Sequence, residues 1–379
     1  MPKIRLTVCY NKFKKNISNE VLLMATTLLF YSLKSNVGKT TISVIAADHL
    51  SRLNKRVLLV DLDAQASATR IMEKSYREIP IKIALRKSLN KNTLEKSIVN
   101  LDQNLDIIPS DSSIGIWEHD LEKLPKYDND LVLTKDLEPL QSSYDYIIID
   151  VPSTPSLLVN NAVLASDYLA LILQTQRSSY ESLLNAISYL SQLQKDHVEE
   201  SKFDLAGIIL YPSQSMSKTY LDIQKQVERI FGSSMLVNKV YYKNRVKYWT
   251  AHGITYKQSD VQDRRTHRMY SLVLYELLDR IENNDNPSEI LVDKSGSNSL
   301  LRQLNKKAEN EIDKYRGKNK TVRVSESAYK TLKKLSFYSG NQIQEIINTL
   351  LRYGLQHEPA YSKLLHEVEE AESEKKNSR

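Results

Sequence analysis

Six short, almost unbroken apolar runs punctuate the first 210 positions of this 379-residue chain: Thr26–Tyr31, Arg56–Asp61, Leu105–Pro109, Tyr146–Asp150, Tyr168–Leu173 and Leu205–Leu210. A half-exposed strand would alternate polar and apolar residues. These do not, so they read as strands buried on both faces of a parallel sheet. The segments between them carry helical periodicity. Within 40–53, Ile42, Ile45, Ala46, Leu50 and Leu53 share one face; 178–193 and 218–231 repeat the pattern, and 264–281 closes the series. Strands alternating with helices specify an α/β fold, a doubly wound and mostly parallel sheet.

Hydrophobic residues at 41% and charged residues at 26% support a buried core. The 53 basic residues exceed the 46 acidic ones, a net charge of +7 that favours a polyanionic partner such as nucleic acid. Cys9 is the only cysteine, which excludes an internal disulfide, an iron–sulfur cluster and a cysteine zinc site. Lys3, Arg5, Lys12, Lys14 and Lys15 precede an apolar run at 21–33, the layout of a signal peptide. Thr26 and Thr27 interrupt that run, and it leads into a phosphate-loop pattern rather than a small-residue cleavage site. No apolar stretch reaches the ~18 residues of a membrane span. A cytoplasmic protein is expected, with no membrane partner. Met24 is an alternative start, which would make 1–23 an N-terminal extension.

The strongest local signal is Lys34, Ser35, Asn36, Val37, Gly38, Lys39, Thr40 and Thr41, between an expected strand and helix. Backbone N–H groups at such a helix start cradle phosphate oxygens, and the helix dipole adds favourable potential. Lys39 would reach the terminal phosphates and Thr40 would ligate Mg²⁺. Asp61 ends the second apolar run with Asp63 just beyond it, and Asp150 ends the fourth. Carboxylates at the carboxyl ends of such strands gather in the crevice where these sheets bind ligands. Beside a phosphate loop, they suit a hydrated Mg²⁺ and an attacking water. Simple strand capping is the competing explanation for Asp61 and Asp150.

With these motifs the chain resembles the ParA/MinD family of ATPases, over roughly residues 26–282. Lys34 matches the signature lysine of that family's deviant Walker A loop. DLDAQASAT at 61–69 resembles its DxDPQ segment, and YDYIIIDVPSTPSLLVNNAVLASD at 144–167 its third motif. LILQTQ at 171–176 and the stretch from Arg245 to His252 and Gly253 also have counterparts. The resemblance implies an ATP sandwich homodimer in which Lys34 reaches the partner's nucleotide. It further implies that Lys39 binds phosphates, Thr40 holds Mg²⁺, Asp61 and Asp150 hold its water shell, and Asp63 positions the hydrolytic water. Departures are present. Ser35 and Asn36 replace two glycines, Ala64 replaces a proline, and Tyr241, Tyr242 and Tyr248 stand where Pro, Arg and Glu are usual. Asn tolerates left-handed backbone, so the loop can survive.

From Glu282 the composition turns polar. Leu301, Leu304, Ala308, Ile312 and Tyr315 then recur at helical spacing before a basic hinge at 316–320. Within 318–357, Val322 and Val324 alternate with Thr321 and Arg323 as a short strand, and two amphipathic helices follow, capped by Ser325 and Asn341. About 40 residues of strand-helix-helix cannot bury two apolar helix faces alone, so intertwined dimerisation is expected. This pattern resembles the ribbon-helix-helix family of Arc, MetJ and CopG. That resemblance implies a DNA-binding unit in which Lys320, Thr321 and Arg323 face the major groove and Asn341 starts a helix that meets phosphate. Lys243, Arg245 and Lys247, interleaved with tyrosines, form a second candidate DNA contact. Lining the nucleotide loop or simple packing is the alternative for these three.

The expected layout is therefore an extension at 1–23, an ATPase domain at 24–282, a linker with a helix at 283–317, a small ribbon-helix-helix domain at 318–357 and a charged tail at 358–379. The expected function is ATP-dependent, ParA-like DNA segregation, plasmid partition above all, with a partition adaptor protein as a further partner. A nucleotide-gated repressor or copy-number regulator with little hydrolysis is the alternative, kept open by Ser35 and Asn36. A MinD-like membrane positioner needs a basic amphipathic tail, whereas 358–374 is acidic.

Overall fold

The computed structural model describes residues 24–89, 91, 93–125, 128–212, 218–257, 259–284, 299–318, 329 and 331–333. The extension at 1–23, most of the expected ribbon-helix-helix unit and the tail at 358–379 lie outside the described residues. So do Lys320, Thr321, Arg323 and Asn341. Internal contacts divide the chain into two units with a boundary between Asp313 and Lys314.

The strands are β1 (Thr26–Tyr31), β2 (Val57–Asp61), β3 (Val99–Asp102), β4 (Leu105–Ile108), β5 (Tyr146–Asp150), β6 (Tyr168–Gln174) and β7 (Asp204–Tyr211). Between β1 and β5 lie α1 (Lys39–Arg52), α2 (Ser67–Ser75), α3 (Leu85–Leu89), α4 (Trp117–Leu121) and α5 (Val132–Leu137). After β5 come α6 (Leu157–Leu164), α7 (Arg177–Asp196), α8 (Lys218–Phe231), α9 (Asn244–His252), α10 (Val261–Asn284) and α11 (Leu300–Lys318).

The seven strands form one sheet in the order β3-β4-β2-β5-β1-β6-β7. Every neighbouring pair is parallel except β3 with β4. All six expected strands are present, and β2 is buried at every residue. Alternate side chains of a strand point to opposite faces, so such burial requires both faces of the sheet to be covered. β3 was not foreseen. It is a four-residue antiparallel edge strand in which only Leu101 is buried, so it lacks the continuous apolar signal.

The chain leaves β1 towards β2 on one side. It later crosses back over β1 between β5 and β6, so the carboxyl end of β1 opens on a crevice. At the other edge, Leu236 N donates to Ile208 O (2.9 Å) and Val240 N to Leu210 O (3.0 Å), which covers β7.

α11 is the helix expected within the linker. It starts on β7: Leu300 N and Leu301 N donate to the Asp204 carboxylate at 3.0 and 2.9 Å, and Ser299 Oγ adds a third bond at 2.9 Å. Leu301, Leu304 and Ala308 are fully buried. The helix runs to Lys318, through the first part of the hinge expected at 316–320. Its first three turns thus pack as part of the ATPase unit, beyond the boundary expected at 282.

Candidate nucleotide site

The loop between β1 and α1 turns twice through left-handed backbone, at Asn36 (φ 59°) and Gly38 (φ 93°). Asn36 therefore takes a conformation that glycine would take without cost. Gly38 is constrained further, since a Cβ there would lie 3.3 Å from the Tyr211 ring. Val37 points inward and is 1% exposed, which anchors the loop to the core while Ser35 and Asn36 face outward. α1 then begins at Lys39.

Lys39 is buried, and its Nζ donates to Ser153 Oγ and more loosely to Lys34 O (3.5 Å). Burial lowers its pKa from the usual lysine value, while Asp150 and Asp63 pull it back. Lys34 lies on the rim. Its Nζ donates to Gln176 Oε1 (2.5 Å) and Ser178 Oγ (2.9 Å) at the start of α7.

Asp61 and Asp150 are register partners at the ends of adjacent strands, and both are fully buried. One oxygen of Asp61 accepts from Thr69 N and Thr69 Oγ1, both at 2.8 Å, and the other accepts from Asp63 N (3.1 Å). These bonds tie the end of β2 to the first turn of α2. Asp150 accepts from Ser43 Oγ (3.1 Å), and the Thr40 hydroxyl also favours its charged form. Its Oδ2 is buried with no hydrogen-bond partner. Burial raises the pKa of both carboxyls; the charge of Asp61 adds to the rise at Asp150, and that of Asp63 to the rise at Asp61.

A buried carboxylate oxygen without a partner, beside a threonine hydroxyl and a lysine, fits a hydrated divalent cation at Thr40 and Asp150. Among the described residues no three His, Cys, Asp or Glu side chains cluster as a ligand set. A cation here would therefore rely on water and on phosphate for its remaining ligands. Asp63 stands half-buried at the cleft, and its carboxylate accepts from Gln65 N (2.9 Å).

The cleft has a volume of about 820 Å³. The phosphate loop and Val151–Thr154 line it together with α2 and α9. Lys243 and Lys247 belong to this lining, as the alternative reading of the basic cluster had it. Arg245, the third residue of that cluster, is held by ion pairs with Asp260 and Asp263. Asp263 is 1% exposed and requires a cation; it also accepts from Trp249 Nε1 (3.0 Å), Thr255 Oγ1 (2.8 Å) and Lys257 N (3.0 Å). Those bonds hold its pKa down at about 2. The guanidinium therefore closes the fold around α9 and α10.

Several partners in the site were missed from sequence: Ser43, Thr69, Ser153, Gln176, Ser178 and Tyr211. Thr69, Ser153 and Gln176 fall inside the quoted motifs, but nothing local to any of them announces its contact.

Residues 25–204 match the family described as "AAA domain". The sporulation initiation inhibitor protein Soj of Bacillus subtilis is 29% identical over 222 residues, covering 58% of this chain and 85% of that protein. A virulence plasmid ParA family protein of Chlamydia psittaci is 31% identical over 229 residues, 56% of this chain and 80% of that one. Among solved structures, an ATP complex of McdA from Cyanothece superposes with a TM-score of 0.58 at 20% identity, over 68% of this chain and 97% of that chain. A plasmid partition protein of Borrelia burgdorferi bound to AMPPNP gives 0.53 at 23% identity, over 66% and 99%. At those identities the two structures speak for the fold.

Proposed function

The chain belongs to the ParA family, and from that premise we propose that it is a Mg²⁺-dependent, ATP-driven DNA segregation ATPase that pairs with a second copy of itself. The observation that carries this reading is the unpartnered Oδ2 of Asp150, buried beside Thr40 and Lys39 at the mouth of the central strands. The loop amides and Lys39 would take the phosphates of ATP. The Thr40 hydroxyl and Asp150, with Asp61 behind them, would hold a hydrated Mg²⁺, which neutralises phosphate charge. Asp63 would accept a hydrogen bond from the attacking water and orient it. Lys34 on the rim would reach the triphosphate of the partner, so that binding of the terminal phosphate and pairing become one linked equilibrium. Hydrolysis would then release the pair. The left-handed Asn36 supports this reading over a non-hydrolysing regulator, because the loop keeps its turns without two glycines.

The sequence pattern at 318–357 supports a site-specific DNA-binding unit carried by the same chain, with Lys320, Thr321, Arg323 and Asn341 as its contacts. A partition adaptor would be a further partner. No helix among the described residues is long and apolar enough to cross a membrane, and a cytoplasmic, DNA-associated protein is the reading we adopt.

The deciding measurement is ATP-dependent pairing, followed by light scattering, beside phosphate release. Asp63→Ala should still pair with ATP and lose hydrolysis. Wild-type protein that releases no phosphate with ATP, Mg²⁺ and DNA present would sink the ATPase reading. For the C-terminal unit, Arg323→Ala should abolish binding to a specific site while weaker, salt-sensitive binding to random DNA persists. Equal loss on both would make Arg323 a phosphate contact.

A further inference from the structure

Lys34 is held at both ends. Its backbone N–H donates to Ser32 Oγ (3.3 Å) and its carbonyl accepts from Lys39 Nζ, which keeps the main chain in the phosphate loop. The side chain extends away from that loop to the first turn of α7. There Gln176 Oε1 and Ser178 Oγ take two of its three ammonium protons. The acceptors are themselves well placed. The Gln176 carbonyl accepts from Ser179 N (3.0 Å) and Tyr180 N (3.1 Å), and the Ser178 carbonyl accepts from Ser182 Oγ (2.8 Å). Both acceptors are neutral, and Lys34 makes no ion pair among the described residues.

We propose that Gln176 and Ser178 are positioning residues, a resting station that holds Lys34 against its own subunit and so sets how much ATP is needed for pairing. This rests on the reading that Lys34 acts on the partner's triphosphate. A side chain cannot occupy both places. Only the fraction of chains with Lys34 released can complete a pair, and the observed pairing constant is weakened by that fraction. Two hydrogen bonds from an ammonium to neutral acceptors on an exposed rim form a grip that phosphate can outcompete. A carboxylate in the same place would hold far longer. Neutral acceptors thus make a reversible latch, while an acidic pair would make a trap.

The test compares ATP titrations of pairing, by light scattering or analytical ultracentrifugation with Mg²⁺ present, for four full-length proteins. These are wild type, Gln176→Ala with Ser178→Ala, Ser178→Asp, and Lys34→Ala. The double variant should pair at about three- to thirty-fold lower ATP than wild type, and Ser178→Asp at higher ATP. A gain in sensitivity is not what damage to the fold produces. An unchanged or raised midpoint in the double variant overturns the station. Lys34→Ala separates the two ideas. If it still pairs in step with ATP, the trans role of the lysine falls and the station falls with it. If it loses pairing while the double variant keeps the wild-type midpoint, the station alone is wrong.

Discussion

Asp61 and Asp150 face each other across adjacent parallel strands, yet only Asp61 has both oxygens engaged by the protein. Two carboxyls of the same type in the same layer thus divide the work. One fastens β2 to α2, and the other keeps an oxygen open.

Asp150→Asn separates these tasks. The isosteric amide removes a buried charge without removing volume. Asp150 titrates above the ordinary carboxylate range, so its proton is held more tightly folded than unfolded. Without metal its contribution is therefore favourable at low pH and is lost as pH rises through the folded pKa. The variant should melt higher than wild type at pH 8 without nucleotide, differ little near pH 4, and show no Mg²⁺-dependent phosphate release. Differential scanning calorimetry with a phosphate assay checks all three.

Arg245→Ala should behave as a folding variant. It leaves Asp263 buried without its cation, a change that costs about 3–5 kcal/mol at comparable sites. Denaturant unfolding should show a loss on that scale. The protein that remains folded should bind random DNA as wild type does, and a selective loss of DNA binding at unchanged stability would contradict the ion-pair assignment.

Gly253 ends α9 at φ 93°, and a Cβ placed there would lie 2.2 Å from the Lys74 carbonyl oxygen on α2. Neither the backbone angle nor the space accommodates alanine. Gly253→Ala should destabilise by more than about 3 kcal/mol or yield insoluble protein. Because α2 and α9 both line the cleft, soluble variant protein should also bind ATP more weakly by calorimetry.

Asp136 on α5 offers a pH test away from the site. It is 7% exposed, its Oδ2 has no partner, and burial with Glu95 nearby pushes its pKa up to about 7. The folded state therefore binds a proton that the unfolded state has released between about pH 4 and pH 7. Stability from this group is full below that window and falls as pH rises through it. Asp136→Asn should remove the dependence, so that its stability relative to wild type is greater at pH 8 than at pH 4. Urea midpoints at the two pH values decide the matter.

The parallel sheet and the phosphate loop were legible because their signals are local. Strands buried on both faces must be continuously apolar, and a loop that turns into a helix around phosphate needs its lysine and threonine side by side. β3 escaped because an exposed edge strand of four residues carries no such run. Gln176 and Ser178 escaped for a different reason. They lie 142 and 144 positions from Lys34 and have the composition of any polar helix start. The ion pairs of Arg245 were hidden because the carboxylates that hold it come 15 and 18 positions later and look solvated in one dimension. The apolar face of α11 was visible, but its destination on β7 was not.

That destination matters for anyone who dissects the chain. A fragment ending near 282 would strip away Leu301, Leu304 and Ala308 and leave the Asp204 carboxylate with only its bond from Leu205 N, baring an apolar scar beside β7. Such a truncation would be prone to aggregate. A stop codon after Asp313 should instead give a fragment that stays in solution.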